Sequence, residues 1–280
     1  MGLAWGVPGH LDVSYKYRIA MNEFTTKRPA PSARCTIAIP TFNHGAFLER
    51  ALVSVFSQDV PVEVIVLDAG STDNTREILE RWDDKLAYWR SHPDGGQAQA
   101  INEGIARGTA PYVAWLNSDD AYMPNGLERL VAALDAQPAV PAVYGRSMVI
   151  DANDRPLRPY STEAWNRSRF ARRCFISQPA TIMRREAWEA VGGLDGALGY
   201  ALDYDLWWRL AEYGGSLGYL DEIVAATRAH MVTKTIRNPV QHYREAMRTV
   251  RIHYGHVPLV WYAKMPVSVG VRLLMSPFAR

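Results

Sequence analysis

W-L-N-S-D-D, residues 115–120, is an apolar run that stops at Asn117 and ends in two adjacent carboxylates, Asp119 and Asp120. Two carboxylates at a strand end repel each other unless a cation or hydrogen-bond donors compensate. A strand that ends this way suits a hard divalent cation, and such a cation can hold the diphosphate of a nucleotide. A second acid, Asp68, follows another apolar run, V-E-V-I-V-L at 62–67. The pair points to an open α/β sheet whose strand ends bind a nucleotide.

The flanking sequence supports that sheet. C-T-I-A-I-P at 35–40 reads as a first strand, closed by Pro40 and the turn T-F-N-H-G. Phe47, Leu48, Ala51, Leu52 and Val55 give helical spacing over 46–57. The short apolar run at 62–67 fits a buried parallel strand. A helix follows at 75–82, with Asp73 or Ser71 as its N-cap. A strand at 86–90, the turn Asp94-Gly95-Gly96, a helix at 97–107 capped by Gly108, a strand at 111–116 and a helix at 125–135 complete the alternation. Beyond it the pattern loosens. Residues 140–150 are strand-like, and helices are expected at 185–191, 203–213 and, with Arg244, Arg248 and Arg251, at 241–254. The reading divides the chain into a linker at 1–34 that contains Pro29 and Pro31, a main domain at 35–235 with halves at 35–135 and 136–235, and a helical tail at 236–280.

The chain has 280 residues, 48% hydrophobic and 21% charged, with a net charge of +2. That apolar content and low charge exclude global disorder. No Lys/Arg block or basic aromatic stripe appears, so no nucleic-acid partner is expected. Cys35 and Cys174 match no metal spacing and are expected to be reduced core thiols in a cytosolic protein. The N-terminus lacks the apolar core of a secretory leader. No spanning helix is expected, because Pro258, Lys264, Pro266 and Arg272 interrupt the apolar stretch at 257–275.

Several residues could carry chemistry. Taken alone, Asp119 and Asp120 read either as turn acids preceding a helix or as a cation site. Asp68 is either a cap or an acceptor for base or ribose, with Thr41 and Asn43 lining the same crevice. In D-G-G-Q at 94–97, Gly95 and Gly96 are either a simple turn or a close backbone approach to a ligand, with Gln97 and Asn102 nearby. Asp203 and Asp205 lie in A-L-D-Y-D-L-W-W-R-L; among apolar neighbours an acid can have a raised pKa and act as a general base. Two residues apart on a helix they face different ways. Asp203 is preferred, with Asp205 as the fallback. His230 matters only if the acidic cluster holds a metal. Trp207 and Trp208 serve either as core or as an aromatic wall.

In order and spacing, P-T-F-N at 40–43, S-V-F-S-Q at 54–58, E-V-I-V-L-D-A-G-S-T-D-N-T at 63–75, D-G-G-Q-A-Q-A-I-N-E-G at 94–104, L-N-S-D-D at 116–120 and L-D-Y-D-L-W-W-R-L at 202–210 resemble the family 2 glycosyltransferases. The likeness covers roughly 35–235. It implies the GT-A fold: a Rossmann-like, mostly parallel sheet flanked by helices, with an irregular acceptor part and a helical tail. It also implies inverting transfer of a sugar from a nucleoside diphosphate sugar, UDP- or dTDP-linked, to a hydroxyl of a saccharide or lipid-linked saccharide acceptor. By position, Pro40, Thr41, Asn43 and Asp68 would bind the nucleoside, and Gly95, Gly96, Gln97 and Asn102 would lie along the donor. Asn117-Ser118-Asp119 would stand for the D-x-D motif. Asp119, with Asp120 and His230 close by, would hold Mn²⁺ or Mg²⁺. Asp203 would be the base, and Gln178 and Trp207 would lie on the acceptor side. Two departures stand out: Asn117 replaces the usual first Asp, and Leu202 replaces the Glu often found before the base.

The setting implied is cell-surface polysaccharide or glycolipid assembly at the cytoplasmic face of the plasma membrane. Two alternatives remain. A nucleotidyltransferase would want basic residues in the loop after the first strand, but none occurs before Arg50. A non-catalytic nucleotide-sugar-binding protein is kept open by Asn117. Residues 241–275 fit either a segment lying on an anionic membrane or a packed helix pair or homo-oligomer contact.

Overall fold

Short strands buried on both faces need helices above and below, and the chain supplies them in alternation. The computed structural model describes residues 33–229 and 238–275. Its first half runs β1 (Cys35–Thr41), α1 (Gly45–Phe56), β2 (Val62–Asp68), α2 (Thr75–Trp82), β3 (Tyr88–Ser91), α3 (Gln97–Arg107) and β4 (Tyr112–Trp115). Past the acidic turn come β5 (Ala121–Tyr122) and α4 (Gly126–Asp135). The second half holds β6 (Ala142–Ile150), β7 (Pro156–Pro159), α5 (Arg167–Phe170), a 3₁₀ turn (Gln178–Ala180), β8 (Thr181–Arg184), α6 (Arg185–Ala190), α7 (Leu202–Gly214) and β9 (Gly218–Arg228). Two helices close it, α8 (Pro239–Tyr254) and α9 (Leu259–Met275).

Among the described residues the strands form one sheet in the order β3-β2-β1-β4-β8-β6-β9-β5, with β7 on β6. β3, β2, β1 and β4 are parallel. Beyond them β8 is antiparallel to β4 and β6, and β9 is parallel to β6. The chain steps outward from β1 to β3 and then returns to β4 on the other side of β1. This reversal opens a crevice at the carboxyl ends of β1 and β4. Register places Thr41 beside Asp68 and Asp68 beside Ser91 at that edge. Pro40 lies in an interior strand yet costs no ladder bond to β4. The β1–β4 pairing ends at Ala38 and Trp115, with the Leu116 amide donating to the Ala38 carbonyl.

Alternation along β1 divides the core. Ile37 and Ile39 pack with Leu48, Leu52, Ile78 and Leu79 of α1 and α2. Ala38 joins Trp115, Ile101 and Ile105, and the α7 residues Trp207, Trp208 and Leu210. A Cβ on Gly104 would lie 2.8 Å from the Ala38 side chain, so a glycine there lets α3 sit close on the sheet.

The helices at 75–82 and 97–107 form with the expected bounds. Gly108 is the C-cap of α3 as expected, but it is extended, with φ −89°, and glycine is required there by space: a Cβ would lie 2.3 Å from Thr36 Cγ2. The N-cap of α2 differs from expectation. Asn74, not Asp73 or Ser71, precedes α2. The C-terminal segment is not a detached tail. Tyr243, Ala246 and Val250 of α8 and Trp261 of α9 share a core with Trp207 and Trp208. No helix among the described residues is long and apolar enough to cross a membrane. Cys35 and Cys174 are free thiols. Of the linker, only residues 33 and 34 fall within the described residues; Arg34 pairs with Asp135 at 2.8 Å.

Candidate active site

The crevice begins with two loops latched together. Asn43 adopts a left-handed φ of 53°. Its amide donates to Ser71 Oγ at 2.7 Å, and its side-chain oxygen accepts from the Thr72 amide at 2.9 Å. Asp73 ties the same loops by accepting from the Gly45 amide. Asp68 is fully buried. Its carboxylate accepts from the Ser71 amide, from Ser71 Oγ at 2.5 Å and from Ser91 Oγ at 2.6 Å. These hydrogen bonds shape the loop at the crevice edge, the cap role that was one of the two readings of Asp68. Thr41 Oγ1 is buried with no hydrogen-bond partner, an orphan of the kind a ligand satisfies.

Sequence reasoning missed Arg90. It is 6% exposed and bridges Asp94 and Glu103 at 3.1 and 2.8 Å while donating to the carbonyls of Asp68 and His92. It therefore ties the end of β2 to the D-G-G-Q loop. Within that loop the Gly96 amide donates to Asp94 Oδ1. Gly96 has φ 106°, a conformation that favours glycine, and a Cβ there would meet nothing within 4 Å.

Three expected site residues converge on the acidic turn. Gln97 Nε2 donates to Asn117 Oδ1 at 2.9 Å. Asn117 Nδ2 donates to Asp120 Oδ2 at 3.1 Å and to Gln178 Oε1 at 3.2 Å. Gln178 Nε2 donates to the Trp115 carbonyl at 2.7 Å. This explains Asn117: an amide can accept from one neighbour and donate to two others, whereas a carboxylate has nothing to donate. Asn102 lies apart. Its amide both donates to and accepts from the Leu194 backbone, so it clamps the loop after Gly192-Gly193 instead of lining the donor site.

The two acids separate. Asp120 is 4% exposed and accepts from the Arg228 amide and from Asn117. Burial, then the charge of Asp119, push its carboxyl up to about 7. Asp119 is half-buried, and its carbonyl accepts from Arg228 Nε at 2.8 Å. Arg228 also donates to the Asp151 carbonyl and to Asp154, and stacks over Phe47. It forms the floor of the turn. Ser118 is buried and hydrogen-bonds His44 Nδ1 at 2.9 Å. Among the described residues no three His, Cys, Asp or Glu side chains cluster as a metal cage. His230 lies outside the described residues. One partly open carboxylate still fits a hard cation that takes its other ligands from a substrate diphosphate.

Asp203 stands in the first turn of α7, half-buried, and lines a cavity of about 450 Å³. Burial raises its carboxyl to about 6, although the Tyr204 amide donates to it at 2.8 Å. Asp205, the fallback, is committed elsewhere. It pairs with Arg209 at 2.7 Å and with His253 Nε2 at 3.1 Å. These hydrogen bonds outweigh its burial and hold its pKa below the usual carboxylate range. Trp207 also departs from expectation: it is 1% exposed and stacked on Trp115 at 5.6 Å, so it supports the site from beneath without contacting an acceptor. Glu245 of α8, another residue the sequence did not flag, accepts from the Gly199, Tyr200 and Ala201 amides and fixes the approach to Asp203.

Comparisons with known proteins give the family and the fold. The chain is 28% identical over 235 residues to an uncharacterised glycosyltransferase of Rickettsia typhi, spanning 78% of this chain and 71% of that protein. It is 26% identical over 210 residues to chondroitin synthase of Pasteurella multocida, spanning 72% of this chain but 21% of the synthase. S. aureus TarS 1–349 in complex with UDP-GlcNAc superposes with a TM-score of 0.65 at 19% identity, over 85% of this chain and 72% of that one. In its other forms 65% of TarS 1–349 is spanned. The mannosyltransferase PcManGT from Pyrobaculum calidifontis, in complex with GDP-Man and Mn²⁺, superposes with a TM-score of 0.57 at 20% identity, over 95% and 77% of the two chains. These likenesses show a GT-A type glycosyltransferase fold. The model for "Glycosyl transferase family 2" matches residues 36–192, more than half of the chain, and the protein belongs to that family.

Proposed function

We propose that the chain is an inverting glycosyltransferase that moves a sugar from a nucleoside diphosphate sugar, UDP-linked by analogy with TarS, to a hydroxyl of a saccharide acceptor in polysaccharide or glycolipid assembly. The observation that carries the reading is Asp203: a carboxylate at a helix start, in a cavity, with its pKa raised by burial and, among the described residues, no cation paired to it. An acid so placed is suited to take a proton from an incoming hydroxyl near neutral pH. The latched loops at 41–45 and 69–75 and the orphan Thr41 hydroxyl supply the nucleoside pocket. The Gly95-Gly96 turn brings backbone close to the donor. Asp119 would hold Mn²⁺ or Mg²⁺, which supplies Lewis-acid stabilisation of the charge left on the diphosphate. Gln97, Asn117 and Gln178 keep that turn in register with α3.

Asp203→Asn is expected to lower turnover by roughly two to four powers of ten while sparing donor binding. In the wild type, kcat should fall as pH drops through about 6, because protonation removes the base. Wild-type turnover by purified Asp203→Asn, or a pH profile flat from 5 to 8, would remove Asp203 from the mechanism. Asp119→Ala is expected to weaken Mn²⁺-dependent nucleotide affinity in calorimetry, and an unchanged isotherm would clear Asp119 of that role.

We further propose that α8 and α9 touch an anionic membrane surface from the cytoplasmic side. Arg244, Arg248 and Arg251 recur at helical spacing on an exposed face of α8, close in sequence to exposed Ile252, Leu259 and Tyr262. Cations beside apolar side chains suit that contact. Failure of the purified protein to sediment with phosphatidylserine vesicles at low salt would refute it.

A further inference from the structure

The cavity that holds Asp203 is chemically lopsided. Its exposed rim carries Arg172 and Lys264, from the turn after α5 and from α9. Neither side chain has a hydrogen-bond or ion-pair partner among the described residues. Arg173 also lines it, but its guanidinium is committed to Glu163 at 2.8 Å and to the Ser161 carbonyl. Among the described residues Asp203 is the one carboxylate in the lining, and the rest is largely aromatic, including Tyr160, Tyr200 and Trp261. Aromatic faces suit a sugar ring, and uncommitted cations at a rim suit an anion. A neutral saccharide would leave both cations without use.

On the reading that Asp203 is the transferase base, we propose that this cavity takes an acceptor bearing a phosphate group, with its hydroxyl toward Asp203 and its phosphate on Arg172 and Lys264. The same chemistry is offered by a soluble sugar phosphate and by a saccharide linked through phosphate to a membrane lipid. The cavity reaches α9, the helix that also carries exposed Leu259 and Tyr262, so a lipid-linked acceptor could enter from the membrane side.

The test is calorimetry on the full chain with three probes: glucose 1-phosphate, farnesyl phosphoglucose and methyl glucoside. The phosphorylated probes are expected to bind about tenfold tighter than methyl glucoside, the scale of a charge-assisted hydrogen bond. An Arg172→Ala/Lys264→Ala double variant should lose that preference. Arg76→Ala, which removes an exposed cation of α2, should keep it. Asp119→Ala should also keep it, because Asp119 is not among the residues that line this cavity. A preference for farnesyl phosphoglucose assigns the lipid-linked source, and equal binding of the two phosphorylated probes assigns the soluble one. Equal binding of charged and neutral probes, or a double variant that binds like the wild type, overturns the inference. So does loss of sugar-phosphate binding in Asp119→Ala alone, which would place the probe in the donor crevice. The glycosyltransferase reading is judged separately, by turnover in Asp203→Asn, and survives each of those results.

Discussion

At the scale of the residue, Asn117 is the most informative position. Its amide accepts from Gln97 and donates to both Asp120 and Gln178. Restoring an aspartate there would set a third carboxylate beside Asp119 and buried Asp120, and would leave Gln178 Oε1 without its donor. Asn117→Asp is therefore expected to destabilise the fold by about 1–3 kcal/mol, the scale of an unmet buried polar group. A denaturant midpoint equal to or above that of the wild type would show that the network is not what selects asparagine. The same position shows the limit of motif reading. Asn117 looks like a lost metal ligand in the sequence, but in three dimensions it is the hinge between α3, the acidic turn and the Gln178 loop.

At the scale of the element, α7 and α8 are joined by charge as well as packing. His253 is 8% exposed at its side chain and donates toward Asp205 through Nε2 and Glu212 through Nδ1. Its ring lies parallel to Trp208, with 2° between planes. Burial works against its charge, but the two carboxylates prevail and raise its pKa above the ordinary 6.5. Arg209 on Asp205 and Arg167 on Glu212 are the other charges at this seam. A raised histidine pKa adds stability that is complete below the unfolded value and lost as pH rises through the folded one. A lowered Asp205 pKa adds stability that is lost as pH falls below its ordinary 3.8. The latch is thus strongest between about 4 and 6.5. His253→Phe keeps an aromatic ring against Trp208 and removes the charge. Its stability deficit is expected to be about 2 kcal/mol near pH 5.5 and clearly smaller at pH 8.5. A deficit that does not change with pH would mean that only packing holds the two helices. The seam also shows why parts of the site were illegible in the sequence. The strands and helices from 35 to 135 follow from local periodicity, and Asp203 stands out beside aromatic residues in a helix. Arg90, Arg228, Glu245 and His253 act through partners 22, 109, 44 and 48 residues away, which no local spacing encodes.

At the scale of the whole molecule, the family model ends at 192, yet the packed core extends well past it. α8 supplies Glu245 to the loop before Asp203, and α9 supplies Trp261, 8% exposed, whose Nε1 donates to the Ala171 carbonyl at 2.7 Å. The sequence reading sets 236–280 apart because the family likeness stops near 235, and it takes the interleaved basic and apolar residues of 241–275 either as a segment on a membrane or as a packed helix pair or homo-oligomer contact. The inner face is the packed pair of that reading, with Tyr243, Ala246, Val250 and Trp261 in one core with Trp207 and Trp208. A chain ending at 258 should therefore keep α8 and fold, but lose about 3–5 kcal/mol, the cost of deleting a buried tryptophan. A chain ending at 237 should fare worse. It strips the cover from the α7 aromatics and orphans the amides of Gly199, Tyr200 and Ala201. It is expected to lose cooperative unfolding and bind a hydrophobic dye at 25 °C. If that shorter chain melted cooperatively near the wild-type temperature, α8 would be an accessory to the catalytic domain and not the wall that aligns Asp203 with its cavity.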